Sequence, residues 1–157
     1  MSQFKDRPPT ISAPRDLILT LPIREGAYGV LVKDDQVLMS HTVSGNRTII
    51  NFPGGALDAA EAPEQALLRE FEEETGGKVR VLRHLASSDG LYVNPDYPKN
   101  RLLCHYFLVA EVATLQLSGN NADVERLEWF SLSALPFERM LEVDATFCRS
   151  LGALLGR

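Results

Sequence analysis

GGALDAAEAPEQALLREFEEETGG, residues 54–77, is the stretch that decides how this chain is read. Pro63 suits the first position of a helix, where a missing N–H costs no intrahelical bond. Gly76-Gly77 supplies the left-handed residue that closes a helix. The spacing therefore predicts a helix over 63–75. The stretch carries six glutamates: Glu61, Glu64, Glu70, Glu72, Glu73 and Glu74. At about 100° per residue, Glu70, Glu73 and Glu74 share an arc of roughly 100°. Leu67, Leu68 and Phe71 share another arc, expected to face the core, and Glu72 is expected in solvent.

Like charges three and four residues apart repel one another and destabilise a helix. Arg69 is the one base between Glu61 and Gly77. Clustered carboxylates need protons or a cation. A hard divalent ion such as Mg²⁺ accepts oxygen ligands and keeps waters and substrate phosphates in its shell, whereas zinc would favour the His and Cys that are missing here. An acidic, solvated helix face accounts equally well for Glu64 and Glu72. It does not account for the double glycine ahead of the cluster, a loop that lets backbone N–H groups approach a ligand.

Working outward, Leu17 to Leu21 is an apolar run expected to form a strand that Pro22 ends. Gly26–Val32 and Val37–Ser40, separated by Lys33-Asp34-Asp35-Gln36, carry a hairpin signature. Val43–Asn51 is polar and reads as a loop tipped by Ser44-Gly45-Asn46, with Ile49, Ile50 and Phe52 extending a short strand. Beyond the helix, Val79–Leu85, Leu102–Val112 and Leu127–Phe130 read as strands, and Trp129 reads as core. Asp144–Leu155 reads as a helix with Phe147, Leu151, Leu154 and Leu155 on one face. Strands mixed with two helices predict an α/β sandwich around a mixed sheet. Residues 1–16, rich in Pro and charge, read as a weakly structured arm, and 17–157 as a single domain.

The 157 residues suffice for one domain with its own core, and 45% hydrophobic with 24% charged content is that of a globular protein. No stretch approaches the roughly 20 apolar residues that span a bilayer. Met1 to Pro9 carries charge with no apolar run behind it, so no signal peptide and a cytoplasmic address are expected. Cys104 and Cys148 stand alone and read as small buried hydrophobes. The net charge of −5 shows no basic stripe for nucleic acid. An anionic substrate would need something cationic between it and these carboxylates.

Segment 55–77 resembles the Nudix box, G-x5-E-x7-R-E-U-x-E-E-x-G-U, where U is a bulky apolar residue. Gly55, Glu61, Arg69-Glu70, Glu73-Glu74 and Gly76 fill every fixed position, and Phe71 fits the first U. Gly77 departs from the last U, with Val79 expected to pack in its place. Asn51 stands where many members carry an aromatic residue. The resemblance implies a Nudix-type α/β/α sandwich. It also implies hydrolysis of the diphosphate bond in a nucleoside diphosphate linked to another moiety, by attack of water on phosphorus. Glu70, Glu73 and Glu74 would bind Mg²⁺ or Mn²⁺, with Glu70 alternatively the general base. Arg69 would orient these carboxylates, Glu61 would support it, and Gly54 and Gly55 would shape the loop beneath the substrate. An acidic residue outside the box, Glu125 or Asp123, would complete the metal shell or act as base.

The long loop Ser87–Arg101 offers Tyr92 or Tyr97 to a base and Lys99 or Arg101 to a phosphate. His41, His84 and His105 read as structural or surface residues. The expected partner is a small nucleotide, with neither nucleic acid nor membrane; dimers are common among relatives of this kind. The alternative is a noncatalytic nucleotide-sensing module, against which the intact carboxylates argue. A prenyl-diphosphate isomerase on the same scaffold would need a cysteine near the diphosphate, and neither Cys104 nor Cys148 sits in such a motif.

Overall fold

The computed structural model describes residues 13–115 and 124–157. The elements in chain order are α1 (Arg15–Ile18), β1 (Ile23–Lys33), β2 (Gln36–Ser44), β3 (Arg47–Asn51), β4 (Gly54–Ala56), α2 (Pro63–Thr75), β5 (Lys78–Ser87), β6 (Arg101–Ala113), β7 (Val124–Ser131), a 3₁₀ turn (Phe137–Arg139) and α3 (Glu142–Leu154). The sheet runs β3-β2-β1-β6-β5, with β4 added beside β1 and β7 beside β2. β1 and β6 are parallel, from Ile23↔Arg101 to Leu31↔Val109. The other strand pairs are antiparallel, so the sheet is mixed.

Strand alternation sorts side chains onto two faces. Ala27 and Leu31 of β1, Phe107 and Val109 of β6, and Leu38 of β2 pack with Ala66, Leu67 and Phe71 of α2. Val30, Val37, Met39 and Tyr106 point the other way and pack with Phe147, Cys148 and Leu151 of α3. The result is the expected α/β/α sandwich. On the α3 side the Tyr106 and Phe147 rings stack at 3.9 Å. Both cysteines are free and buried, as small hydrophobes should be. Among the described residues no helix is long and apolar enough to cross a membrane.

Several elements differ from the sequence expectation. Leu17 lies not in a strand but in α1, a single turn opened by Pro14, whose carbonyl accepts the Leu17 and Ile18 N–H groups. Proline fixes φ in the helical range, and the Thr20 hydroxyl closes the turn on the Leu17 carbonyl at 2.6 Å. Val43–Asn51 is not a loop. It holds the end of β2, the turn Gly45-Asn46 and all of β3, paired from Ser44↔Arg47 to Ser40↔Asn51. Its β-branched Val43, Thr48, Ile49 and Ile50 favour the pleated surface, and only the outward polar residues gave it the look of a loop. β7 is longer than expected, and Trp129 is half-buried against the α2-side core. On α2, Leu68 is 40% exposed, and Ala66 takes the place in the core expected for it.

Gly77 explains its own departure from the box. A Cβ there would lie 2.5 Å from Leu115 Cδ2 and 2.7 Å from the Ala113 carbonyl, so no bulky residue fits. Val79 is buried in the α2-side core two residues later.

Asp144, in the first turn of α3, is buried and accepts the Tyr106 hydroxyl at 2.7 Å. Burial pushes its carboxyl up from 3.8 to about 6, against the opposing pull of that hydrogen bond. The native state therefore binds this proton more tightly than the unfolded chain does. The contribution to stability is complete below pH about 4 and is lost as pH rises through about 6, a change of about 2–3 kcal/mol. In denaturant titrations the native protein should gain stability over Asp144→Asn as pH falls from 7 to 5; parallel pH profiles would refute the assignment. Phe71→Ala should cost about 3–5 kcal/mol in the same assay, because it empties the centre of the α2-side core.

Candidate active site

Pro53-Gly54-Gly55 is the point where the chain leaves the β2–β3 layer and crosses to α2. Gly54 and Gly55 form β4 with Ala56, opposite Tyr28 and Ala27 of β1. Gly54 has φ 148°, and a Cβ there would lie 2.2 Å from the Ala27 carbonyl oxygen, so glycine is obligatory. Its N–H donates to Glu74 Oε2 at 3.0 Å. This bond holds a carboxylate that is only 7% exposed, and it fastens the helix to the glycine strand. A Cβ on Gly55 would lie 2.7 Å from the Glu70 carboxyl carbon, so the second glycine lets Glu70 lie against the backbone.

α2 starts where Gln65 Oε1 accepts the Ala62 N–H at 2.9 Å, with Pro63 in its first turn. It ends at Gly76, φ 69°, whose N–H reaches the Glu72 carbonyl. Between these ends Arg69 gathers the loop. Its Nε and Nη2 donate to Glu61 Oε2 and Oε1 at 2.9 and 2.8 Å, a bidentate pair. Nη1 donates to Glu70 Oε1 at 2.9 Å, and Nη2 also reaches the Ala56 carbonyl at 3.2 Å. Asp58 and Glu73 approach at 3.5 and 3.6 Å. Glu61 in turn accepts the Asp58 N–H at 2.8 Å. The loop so closed contains Ala60 at φ 65°, a left-handed conformation that costs an alanine about 1 kcal/mol and persists only where its surroundings enforce it.

One guanidinium thus faces four carboxylates. The bidentate hydrogen bonds from Arg69 pull the Glu61 carboxyl down to about 2. The same bonds push the Arg69 guanidinium further toward its charged form. Glu70 responds oppositely: desolvation against the loop raises its carboxyl above the ordinary value, and the Arg69 contacts only partly oppose this. A half-buried carboxylate with raised proton affinity beside further negative charge is the electrostatic signature of a group that takes a proton or a cation.

Fit to a divalent cation can be judged from the donors. All are carboxylate oxygens, the ligands a hard cation takes. Among the described residues no three acidic, His or Cys side chains converge on one point. Glu70 and Glu73 turn toward Arg69, and Glu74 turns toward the Gly54 N–H. The donor set fits in chemistry and position along the helix, and Glu70 and Glu73 would have to turn from the guanidinium to close on an ion.

The structure thus brings Gly54, Gly55, Glu61, Arg69, Glu70, Glu73 and Glu74 together. Glu125 is on β7, where Thr48 of β3 donates to it at 3.3 Å, and it is not among the acids around Arg69. Asp123 lies outside the described residues. Arg101 donates to the carbonyls of Leu21 and Gly90, both at 3.1 Å, and so ties the 87–101 loop to the segment before β1. Asn51 accepts hydrogen bonds from the Ser40 and Thr42 hydroxyls at 2.8 and 2.7 Å. Asp58 as a partner of Arg69, and the contact of Glu25 with His105 at 2.6 Å, had no local signal in the sequence. Both depend on which distant strands and loops meet.

Fold and site define the class. The family model described as NUDIX domain matches residues 23–151, and the chain belongs to that family. The chain is 36% identical over 70 residues to an ADP-ribose pyrophosphatase of Bacillus subtilis, covering 45% of this chain and 35% of that protein. An ADP-ribose pyrophosphatase of Methanocaldococcus jannaschii is 27% identical over 110 residues, covering 69% of this chain and 62% of its own length. The chain therefore spans between about a third and three-fifths of these relatives. Among solved structures, the MutT NUDIX hydrolase from Burkholderia pseudomallei superposes with a TM-score of 0.69 at 22% identity, over 81% of this chain and 96% of that one, which shows the shared fold.

The Arg69–Glu61 pair should be visible in solution. In a ¹³C-detected carboxyl titration Glu61 should show a midpoint near 2, returning to the ordinary glutamate range in Arg69→Ala. An ordinary midpoint in the native protein would show that the pair does not form.

Proposed function

We propose that this chain is a metal-dependent hydrolase that cleaves the diphosphate bond of a nucleoside diphosphate linked to another moiety. The observation that carries the reading is the cluster of acids around one guanidinium, with Glu70 raised in proton affinity and lying against Gly55. The pyrophosphatase names of the similar proteins support it.

In this reading Glu70, Glu73 and Glu74 hold Mg²⁺ or Mn²⁺. The bound ion supplies neutralisation of phosphate charge and a water of lowered pKa. The rest of the work belongs to the chain. Where Glu70 serves instead as the general base, it stays on Arg69 through its Oε1, and Oε2, beside Gly55, is the oxygen that receives a proton from the attacking water. Glu61 fixes Arg69 through both its oxygens, so the guanidinium cannot swing into the phosphate position. Gly54 and Gly55 shape the loop beneath the diphosphate by letting β1 and Glu70 pack directly against its backbone. No nucleophilic side chain is required, because phosphoryl transfer to water is chiefly positioning and charge stabilisation.

Incubation with ADP-ribose, a nucleotide sugar and nucleoside triphosphates, with Mg²⁺ or Mn²⁺, should release a nucleoside monophosphate from at least one of them. No turnover of any at micromolar enzyme with either ion would defeat the proposal. Glu73→Gln and Glu74→Gln should each lower kcat by about a hundredfold or more, since supporting partners of a metal already account for about 10–100-fold. Far-ultraviolet circular dichroism should be unchanged in both. Full activity in both variants would contradict the assignment.

A further inference from the structure

The chain has three histidines, and two of them aim a ring nitrogen at the same atom. Ser87 Oγ lies 2.8 Å from His84 Nε2 and 2.7 Å from His105 Nδ1. These side chains meet because β5 is bulged. Residues three apart on a regular strand point to opposite faces of the sheet, so His84 and Ser87 would be separated. Here the register slips between His84 and Ala86, so that His84 pairs with Phe107 and Ser87 with His105. Leu85 turns into the α3-side core, and His84 joins Ser87 and His105 on the face that carries Phe107. Re-aiming one side chain in this way is what a bulge does.

Both rings are also held from behind. His105 Nε2 lies 2.6 Å from Glu25 Oε2. An ionised carboxylate only accepts, so Nε2 of the neutral ring carries the proton and Nδ1 presents its lone pair. Phe107 meets the His84 ring edge to face at 5.2 Å. The single hydroxyl proton of Ser87 serves one nitrogen only. With His105 Nδ1 as its acceptor, His84 Nε2 must be the protonated nitrogen of its ring. His84 and Ser87 are exposed, so the point where the two nitrogens meet is open to a small ion. Imidazole nitrogens suit borderline transition ions such as zinc. A carboxylate behind a ligating histidine fixes its tautomer and raises its basicity. Mg²⁺, which takes oxygen, is a poor match for such a pair.

We propose that His84 Nε2 and His105 Nδ1 bind a divalent transition ion of the zinc class, with Glu25 as the residue that positions His105. The site is separate from the acids of α2, and it stands whether or not the hydrolase reading does. The ion replaces the hydrogen bonds that the two nitrogens make to Ser87, and His84 moves its proton to Nδ1. Among the described residues no third His, Cys or acid joins the pair, so water fills the remaining positions. The affinity is therefore below that of a closed four-ligand site.

The test titrates the full chain with Zn²⁺ in excess Mg²⁺ and follows the histidine rings in long-range ¹H–¹⁵N spectra. His41, on β2 and 2.8 Å from Glu128, is the internal control. The His84 Nε2 and His105 Nδ1 signals should shift with the ion, His84 should change tautomer, and His41 should stay in place. Calorimetry should find a zinc site that Glu73→Gln retains. His84→Gln, His105→Gln and Glu25→Ala should each weaken that site about tenfold or more, since even the partner that orients a ligating histidine is worth about 10–100-fold. No shift at His84 and His105, shifts of equal size in all three rings, or zinc affinity unchanged in both histidine variants overturns the proposal. Loss of the zinc site in Glu73→Gln does the same, because the ion then sits among the acids of α2.

Discussion

The Arg69 guanidinium is held by five residues from two directions, and the geometry of the site follows from them. From the loop come both oxygens of Glu61, the Ala56 carbonyl and Asp58; from its own helix come Glu70 and Glu73. Without that cation the N-terminal half of the box would be a loop with an unfavourable alanine at φ 65°, and α2 would carry like charges one turn apart. With it, the loop, β4 and the helix are one unit. The bidentate pairing matters more than the number of acids, because a planar fork fixes direction as well as distance.

That unit is mounted on the sheet by a second, smaller constraint. Glu74 is drawn under the chain onto the Gly54 N–H, and Gly54 has no side chain because the β1 backbone passes too close for one. Glu74 therefore fixes the distance between helix and glycine strand, while Phe71 one turn earlier and Leu67 two turns earlier fix the depth of the helix in the core. Packing and polar geometry are thus set by adjacent residues of one helix. The other face of the sheet, under α3, is apolar apart from groups such as Asp144 and the Tyr106 hydroxyl that answer each other.

Much of this was legible in the sequence, for identifiable reasons. The helix Pro63–Thr75 carried its own start and stop signals, and the hairpin at Asp34-Asp35 carried its turn. Both residues there have positive φ, as a two-residue hairpin turn requires. The shared arc of Glu70, Glu73 and Glu74 followed from helical spacing, and the pairing of Arg69 with the acids was implied by the resemblance to the Nudix box. What escaped was set at a distance. Leu17–Leu21 looked like a strand because apolar runs of that length do not distinguish strand from helix, and Pro14 decided it. The β2–β3 hairpin was hidden by its polar outer face. Leu68 was assigned to the core although only a narrow stripe of α2 meets the sheet. The contact of Glu25 with His105 needs β1 and β6 to be neighbours, and no local pattern states that register.

In the proposed function the acids of α2, and not another acidic feature of the chain, hold a divalent cation. Paramagnetic broadening of backbone amide resonances by substoichiometric Mn²⁺ tests it most directly, since the effect falls steeply with distance from the ion. The Gly54, Gly55, Glu70 and Glu73 signals should be lost early, and excess Mg²⁺ should restore them. Broadening centred on other acids, such as the exposed Asp34-Asp35 turn, or no selective broadening at all, would contradict it.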